Sequence, residues 1–188
     1  MNHPEAFRYA YCRQPPAAVF ERAARVRWLV LDVDGVLTDG TIWTSAEGET
    51  IKAFHVHDGK GLAMLKAAGL GVGVMSARYS GAMAARASEL GINELRQKVS
   101  DKGAEMAALA REHDIEPEVI AFVGDDTLDL AAFKQVGLAL AVANAHPMVQ
   151  SRSHWVTQRG GGAGAVREAC ELILGARGML DDAMGLYA

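Results

Sequence analysis

The sequence predicts an α/β protein built on a parallel, doubly wound sheet of the Rossmann-like type. Two apolar runs, Trp28 to Val33 and Val119 to Val123, have the length and composition of buried strands. Helix-favouring segments of about ten residues separate the predicted strands, which is typical of βαβ crossovers between parallel strands. Both runs end at aspartates, in the position where open α/β sheets carry their functional groups.

The elements follow one another regularly along the chain. Residues 17–25 favour a short helix before the first strand. After that strand, residues 41–44 and 50–56 are rich in β-favouring side chains, and the connection 45–49 between them predicts a hairpin turn. We expect the hairpin to form a flap over the end of the first strand. Further helices are expected at 61–68, 79–90, 102–113, 127–135 and 163–174, and further strands at 70–75, 95–99, 138–142 and 155–156.

Glycines and small polar residues mark the ends of these helices. Gly69 and Gly91 follow the helices expected at 61–68 and 79–90, as residues that end helices commonly do. Ser100 and Asp101 precede the Ala-rich helix at 102–113, and either side chain can cap its first turn.

Length and composition predict one main domain and exclude several partners. A chain of 188 residues, 50% of them hydrophobic, is long enough to fill a single core. We expect residues 1–25 to form an arm with a short helix, 26–175 the main domain and 176–188 a C-terminal tail. The net charge of −4 provides no general attraction to nucleic acid.

Targeting and redox features predict a soluble protein in a reducing cytoplasm. The first twenty residues contain no basic stretch followed by an apolar core, and no later segment approaches the ~20 apolar residues needed to cross a bilayer. Cys12 and Cys170 lie far apart and have no His or Cys at ligand spacing. We therefore expect no membrane contact, no disulfide and no zinc site.

Two carboxylates follow the first strand, at Asp32 and Asp34. Side chains alternate along a strand, so the two can point to the same side. They repel one another and any anion unless a cation joins them. Because hard dications take oxygen ligands, the sequence predicts a Mg²⁺ site here.

Other strand ends supply complementary groups. Ser76 offers a hydroxyl and a backbone N–H at a strand-to-helix turn, where anions bind well. Lys102 begins a helix, the unfavourable end of the dipole for a cation, and so requires an anionic partner. Asp125 follows the strand at 119–123, and we expect it to bind the metal with Asp126 and Asp129 behind it.

A phosphomonoester is the substrate that this set of groups favours. Two like charges 4 Å apart cost about 4 kcal/mol at an effective dielectric constant near 20, so aspartates alone would reject the phosphate. A metal and Lys102 reverse that repulsion. Asp32 is then placed for in-line attack on phosphorus, giving an aspartyl-phosphate, and Asp34 for protonating the leaving oxygen and later deprotonating water.

The motifs DVDGVLTD at 32–39 and GDDTLD at 124–129, with Ser76 and Lys102, together resemble the four motifs of haloacid dehalogenase-superfamily phosphatases. A closer resemblance is to the cap-less phosphatases that hydrolyse 3-deoxy-D-manno-octulosonate 8-phosphate. It extends over nearly the whole chain after residue 25. The further matching segments are FHVHDGKG at 54–61, SAR at 76–78, SDKG at 100–103, VANAHP at 142–147 and GGAGAVRE at 161–168.

This resemblance implies a role for each matched residue. Asp32 is implied to be the nucleophile and a metal ligand, Asp34 the acid/base that also binds metal through its carbonyl, and Asp125 the third ligand. Ser76 and Lys102 would hold the phosphoryl group. The residues implied to contact the sugar acid are His55, Val56, His57, Asp58, Gly59, Arg78 and Arg86.

The resemblance also implies a homotetramer serving lipopolysaccharide precursor synthesis. In that family, hairpins such as the one near residues 41–56 help to close a neighbour's site in place of a cap domain. The glycine-rich C-terminal segment is likewise implied to reach an active site.

This chain departs from the family at a few positions. Ala63 and His57 stand where Arg is usual, and Ala163 interrupts the glycine segment where Arg is frequent. Ser76 replaces the commoner Thr and keeps the hydroxyl. The lost cationic groups leave the particular sugar acid open.

Three alternatives remain from the sequence. A nine-carbon sialic-type acid phosphate would be cleaved by the same chemistry, although Arg78 favours the octulosonate. A non-catalytic oligomeric binding or regulatory module would release no phosphate with any metal. A receiver-like domain would be stably phosphorylated and would lack a general acid two residues from the acceptor, whereas Asp34 is present.

Overall fold

The central sheet has six strands, and a separate two-stranded hairpin follows the first of them. We describe a computed structural model, which covers residues 10–11, 13–46 and 48–185. The strands are β1 Trp28–Leu31, β2 Trp43–Ser45, β3 Gly48–Ile51, β4 Gly71–Met75, β5 Glu94–Arg96, β6 Ile120–Gly124, β7 Leu138–Ala141 and β8 Trp155–Val156. The helices are α1 Ala17–Arg25, α2 Val56–Ala67, α3 Gly81–Glu89, α4 Lys102–Glu112, α5 Leu130–Phe133, α6 Pro147–Gln150, α7 Ala165–Ala176 and α8 Leu180–Gly185.

The strand order confirms the predicted doubly wound fold. The six strands run β5-β4-β1-β6-β7-β8 and every neighbouring pair is parallel. Counted without the hairpin, this is the 3-2-1-4-5-6 order, in which the chain changes direction across the sheet between β1 and β6. Leu31 is paired with Val123 at this point, so the residues that follow both strands emerge side by side.

The core lies between the sheet and its flanking helices. Apart from the half-buried Trp28 and Gly71, the residues of β1, β4, β6 and β7 are buried, as central parallel strands require. Helix α7 packs against α1 and α2, and α4 packs against α5. Among the described residues, no helix combines the length and the apolar composition that crossing a membrane demands.

Strand β3 ends at Ile51 and helix α2 begins at Val56, which corrects the strand expected over residues 50–56. Helix α2 begins at Val56, and the His55 ring nitrogen caps it by accepting the His57 N–H at 3.3 Å. Asp58 in the first turn is favourable at the positive end of the helix dipole. His55 and His57 therefore lie at the start of a helix and not in a strand.

Several other boundaries differ from those expected. The hairpin strands end at Ser45 and begin again at Gly48, so the connection is shorter than residues 45–49. The segment expected as one helix at 127–135 is a 3-10 turn at 127–129 followed by α5. The expected C-terminal tail contains α8, and the arm before α1 lies partly outside the described residues, at positions 1–9 and 12.

Candidate active site

The site lies at the carboxyl ends of β1 and β6, where the strand order reverses. Asp32 directly follows β1, and its N–H donates to the Val123 carbonyl at 3.0 Å. Asp125 directly follows β6. One carboxylate oxygen from each of Asp32, Asp125 and Asp129 lies within 4.8 Å of the other two. The sheet thus brings the predicted nucleophile and the predicted third metal ligand together.

Lys102 is buried among these carboxylates. Its Nζ donates to Asp32 Oδ1 at 2.6 Å and to Asp129 Oδ1 at 2.5 Å. Burial alone would lower the pKa of this amine, but the two carboxylates outweigh burial and raise the pKa. Asp101 caps α4 by accepting the N–H groups of Gly103 and Ala104, which fixes the lysine at the start of the helix.

The carboxylates of the cluster repel one another. Burial, followed by the charge of Asp129, raises the pKa of Asp32 to about 6. Burial, followed by the charges of Asp32, Asp129 and Asp126, raises the pKa of Asp125 to about 8. Lys102 offsets only part of this repulsion.

A divalent cation fits this donor set. Oδ1 of Asp125 is buried and has no hydrogen-bond partner among the described residues, as expected of an atom that faces a metal. All the groups of the cluster offer oxygen, which suits Mg²⁺. Gly35, at φ +92°, lies so close that a Cβ there would be 2.0 Å from Asp125 Oδ2, so only glycine leaves room for this carboxylate.

Asp129 and Asp126 hold the backbone that carries Asp125. Oδ2 of Asp129 accepts the N–H groups of Asp125 at 2.8 Å and Asp126 at 3.1 Å. Asp126 accepts the Thr127 N–H at 2.6 Å. The side chains of Asp126 and Asp129 also accept each other's backbone N–H groups and so form a capping box around the 3-10 turn. Both carboxylates therefore support Asp125 from behind, and Asp129 also contacts Lys102.

Asp34 lies outside the three-carboxylate cluster and pairs with cations instead. Its Oδ1 accepts a hydrogen bond from Lys52, whose side chain is only 1% exposed. Its Oδ2 lies 3.8 Å from Nε of Arg78. The sequence motifs predict Arg78 as a site residue, whereas no motif includes Lys52. The available signal was a lone cation between apolar neighbours, Ile51 and Ala53, at the end of the predicted flap.

Ser76 lies in the turn after β4, at the same edge of the sheet. It is buried, and its hydroxyl accepts the Arg78 N–H at 3.1 Å. Its own N–H donates to the Arg96 carbonyl at 2.9 Å. The turn thus presents Arg78 toward Asp34 while its serine stays close to the strand end.

The residues expected to contact a sugar acid divide into two groups. Val56, His55 and His57 are partly or fully exposed in and before the first turn of α2. Asp58 is only 1% exposed, and its carboxylate accepts the Arg167 N–H at 2.8 Å and the Gly164 N–H at 3.4 Å. The structure therefore gives Asp58 a packing contact with the start of α7.

Gly59 and Arg86 also contact each other. A Cβ on Gly59 would lie 2.4 Å from a guanidinium nitrogen of Arg86, so the glycine makes room for this side chain. The guanidinium lies 5.9 Å from the Phe54 ring centroid and pairs with Glu89 at 2.7 Å. Arg86 thus braces the start of α2 against α3.

The glycine-rich loop between β8 and α7 packs on the loop that carries Asp34. The Gly162 N–H donates to the Val36 carbonyl at 2.9 Å. A Cβ on Gly161 would lie 1.7 Å from the Gly35 carbonyl oxygen, so two backbones meet without side chains between them. Asn144 holds the glycine loop in place by accepting the Gly161 N–H at 2.8 Å.

The acidic groups at the switch point of the parallel sheet, with a buried lysine beside them, agree with the haloacid dehalogenase-like class that the sequence motifs predict. The family model described as haloacid dehalogenase-like hydrolase matches residues 75–166. The site residues at 32–34 precede the matched region, and those at 76, 102 and 125 lie within it.

Comparison with curated proteins identifies the family within this class. A curated 3-deoxy-D-manno-octulosonate 8-phosphate phosphatase from Yersinia pestis is 44% identical over 89% of this chain and 90% of its own length. The protein of that name from Escherichia coli K12 is 42% identical over 94% of each chain. The chain therefore belongs to the 3-deoxy-D-manno-octulosonate 8-phosphate phosphatase family.

A solved structure of a relative agrees in fold. The phosphatase of the same name from Moraxella catarrhalis, in complex with a magnesium ion, a phosphate ion and the sugar acid, is 36% identical and superposes with a TM-score of 0.87. The match covers 90% of this chain and 98% of the other.

Proposed function

We propose that this protein is a Mg²⁺-dependent phosphomonoesterase that converts 3-deoxy-D-manno-octulosonate 8-phosphate into the free sugar acid and phosphate. The observation that carries the proposal is the cluster of Asp32, Asp125 and Asp129, in which the buried Lys102 bonds Asp32 and Asp129. Its carboxylates need a cation to remain charged together, and the same cation makes the pocket acceptable to a phosphate dianion.

The metal would be held by Asp32, by Asp125 and by the backbone carbonyl of Asp34. When bound, it supplies charge neutralisation and Lewis-acid polarisation of a phosphoryl oxygen. Asp32 is the nucleophile: one carboxylate oxygen attacks phosphorus, the ester oxygen leaves, and an aspartyl-phosphate forms. Lys102 and Ser76 hold the phosphoryl oxygens.

Asp34 is the general acid and the general base of the reaction. Its carboxyl protonates the leaving sugar oxygen in the first step and takes a proton from the attacking water in the second. Water then releases phosphate from Asp32 and regenerates the free carboxylate. Lys52 and Arg78 support this role because they fix the position of the Asp34 side chain from two sides.

Arg78 and the first turn of α2 form the proposed sugar-acid region. The guanidinium fork of Arg78 suits the planar carboxylate of the sugar acid, and its side chain is 46% exposed beside Asp34. His55, Val56 and His57 would line the same region. Asp58, Gly59 and Arg86 contribute indirectly, by packing this turn against α7 and α3.

We further propose a cytoplasmic homotetramer in the supply of lipopolysaccharide precursors. Ile42, Trp43 and Ile51 leave large apolar surfaces exposed on the β2–β3 hairpin. Docking of this hairpin on a neighbouring subunit would cover them. The hairpin would then help to complete a neighbouring site, whereas the glycine-rich loop packs on the loop around Asp34 of its own chain.

The test is phosphate release from a panel of sugar-acid phosphates with and without Mg²⁺. We expect turnover of the eight-carbon acid 8-phosphate only with the metal, and at least tenfold weaker turnover of a nine-carbon sialic-type 9-phosphate, a difference of about 1.4 kcal/mol in barrier. Preference for the nine-carbon substrate would contradict the assignment, and absence of turnover on every substrate would favour a non-catalytic module.

The matching variant is Asp32→Asn. It should abolish phosphate release while leaving the circular dichroism spectrum and the folded state unchanged, because it removes the nucleophile but no packing volume. Near-wild-type activity in this variant would rule out the proposed mechanism.

A further inference from the structure

Among the described residues of the N-terminal arm, Tyr11 contacts both the start of α2 and the glycine-rich loop. The Tyr11 hydroxyl lies 2.5 Å from Nδ1 of His57, and the two ring centroids are 5.6 Å apart. On its other side, the Tyr11 ring carries the guanidinium of Arg159 at 3.9 Å from the centroid. A residue from outside the main domain therefore joins the start of α2 to the glycine-rich loop.

The arm is anchored on both sides of this contact. The Tyr11 N–H donates to the Glu171 carboxylate of α7, which also accepts a hydrogen bond from Nε of Arg167 at 2.5 Å. Two residues further along, the Arg13 guanidinium lies 5.5 Å from the Trp155 ring centroid. These contacts hold the Tyr11 backbone, so the side chain has a defined position.

Gly164 makes the stack possible. A Cβ at this position would lie 2.9 Å from Cδ of Arg159 and 3.6 Å from Cε2 of Tyr11, and its φ of +104° disfavours any other residue. The glycine loop therefore leaves room for the arm as well as packing on the catalytic loop.

The contact lies next to the proposed substrate region. His57 is in the first turn of α2, and the neighbouring Asp58 binds the N–H groups that begin α7. The same glycine loop packs on the backbone of Gly35 and Val36. Both helix starts and the catalytic loop thus share one edge of the sheet.

We propose that Tyr11 is a positioning residue for substrate binding, which holds the His57 imidazole in one orientation at the rim of the site. This inference rests on the proposed function, in which His57 contacts the sugar acid. A hydrogen bond at Nδ1 fixes the ring and leaves Nε2 to meet the ligand. A side chain that is already ordered in the free enzyme loses less conformational entropy when the substrate binds. Loss of this ordering should therefore raise the KM.

Tyr11→Phe tests the proposal because it removes the hydroxyl and keeps the ring under Arg159. We expect the KM for 3-deoxy-D-manno-octulosonate 8-phosphate to rise about three- to tenfold, as loss of one hydrogen bond predicts, with kcat within about twofold. Hydrolysis of p-nitrophenyl phosphate, which has no sugar acid to contact His57, should not change. Tyr79→Phe is the matched control, since the exposed Tyr79 ring stacks on Lys98 without needing its hydroxyl.

A double-mutant cycle isolates the coupling. In a His57→Ala background, Tyr11→Phe should cause no further rise in KM. A persistent rise there, or an equal loss on both substrates with a lower melting temperature, would mean that Tyr11 only docks the arm and would overturn the proposal. An unchanged KM in Tyr11→Phe alone would overturn it as well.

Two readouts separate this inference from the proposed function. If the wild-type protein releases no phosphate from the octulosonate ester, the proposed function fails, and with it any role in binding that substrate. If the wild type is active, NMR should show nuclear Overhauser contacts between the Tyr11 and His57 rings. Their absence would overturn the positioning role while leaving the phosphatase proposal intact.

Discussion

The Asp125 carboxyl lies in surroundings that oppose its charge. Burial and three neighbouring aspartates raise its pKa to about 8, while the unfolded chain would titrate near 3.9. Between these values the metal-free folded protein holds a proton that the unfolded chain has lost. The contribution of this group to stability is therefore present at low pH and is lost as the pH rises toward about 8.

This linkage gives a prediction for metal removal. In the presence of a chelator, the melting temperature should fall between pH 5 and pH 8, and Mg²⁺ should raise it more at pH 8, where protons compete less for the carboxylates. Asp125→Asn should flatten both trends, whereas Asp182→Asn, at an exposed position on α8, should behave as wild type. Equal Mg²⁺ shifts at both pH values in the wild type would contradict this account.

Individual residues of the site were predictable to the extent that they follow strands. Asp32 and Asp125 were placed correctly at one sheet edge because each comes directly after an apolar run. Lys52 was missed because it reaches Asp34 from a hairpin, whose path the sequence does not define. Asp58 looked like a ligand contact, yet its burial against α7 depends on two distant segments meeting.

At the scale of elements, the glycine-rich loop packs directly, backbone against backbone, on the catalytic loop, the segment after β1 that carries Asp34. Gly161 meets the Gly35 carbonyl so closely that no side chain fits between them. The position of the backbone around Asp34 therefore depends on a loop more than a hundred residues away in sequence.

Gly161→Ala should displace the catalytic loop. Because a Cβ would lie 1.7 Å from a carbonyl oxygen, we expect kcat to fall by about 10²-fold, as small misplacements of reacting groups do. Overpacking should also lower the free energy of unfolding by about 1–3 kcal/mol. Steady-state kinetics measure the change in kcat, and denaturant titration measures the change in the free energy of unfolding.

Gly81→Ala provides the control for this prediction. Gly81 begins α3 and has open space around its Cβ position, so the substitution should be neutral or stabilising by up to about 1 kcal/mol. If Gly161→Ala behaved like Gly81→Ala, the glycine loop would not position the site.

Helix α2 shows where sequence reasoning about elements fails. The β-favouring side chains at residues 50–56 predict a strand, and a helix is expected only from residue 61. Gly61 lets α2 pack closely on α7, where a Cβ would lie 3.0 Å from Arg167 Cδ. This tertiary contact outweighs local propensity, and no local pattern reports it.

For the whole molecule, the fold was the most predictable feature. The apolar strands, the helical spacers and the aspartates at strand ends agree with one another, and together they predict the parallel, doubly wound sheet; the structure supplies its strand order. The oligomeric state is harder to predict from the sequence than the fold. In the structure of a single chain, a subunit interface is visible only as exposed apolar surface.

Trp43→Ser tests the proposed tetramer. Trp43 is 59% exposed on the hairpin, and removing such an aromatic anchor, typically worth about 2 kcal/mol or more, should raise the dissociation constant of the assembly at least tenfold. Light scattering across a dilution series measures this. Met148→Ser, at an exposed position on α6, should leave the mass unchanged; loss of mass in both variants, or in neither, would argue against a hairpin interface.

The pairing of β1 with β6 has a consequence for the durability of the site. The Asp32 amide is bonded to β6, so the separation of the two key carboxylates follows from the spacing of adjacent backbones, about 4.8 Å. Such a pocket cannot come apart through loop fluctuations. Amide hydrogen exchange at Asp32 should therefore be as slow as in the strand centres, and cation affinity should persist until the entire sheet opens.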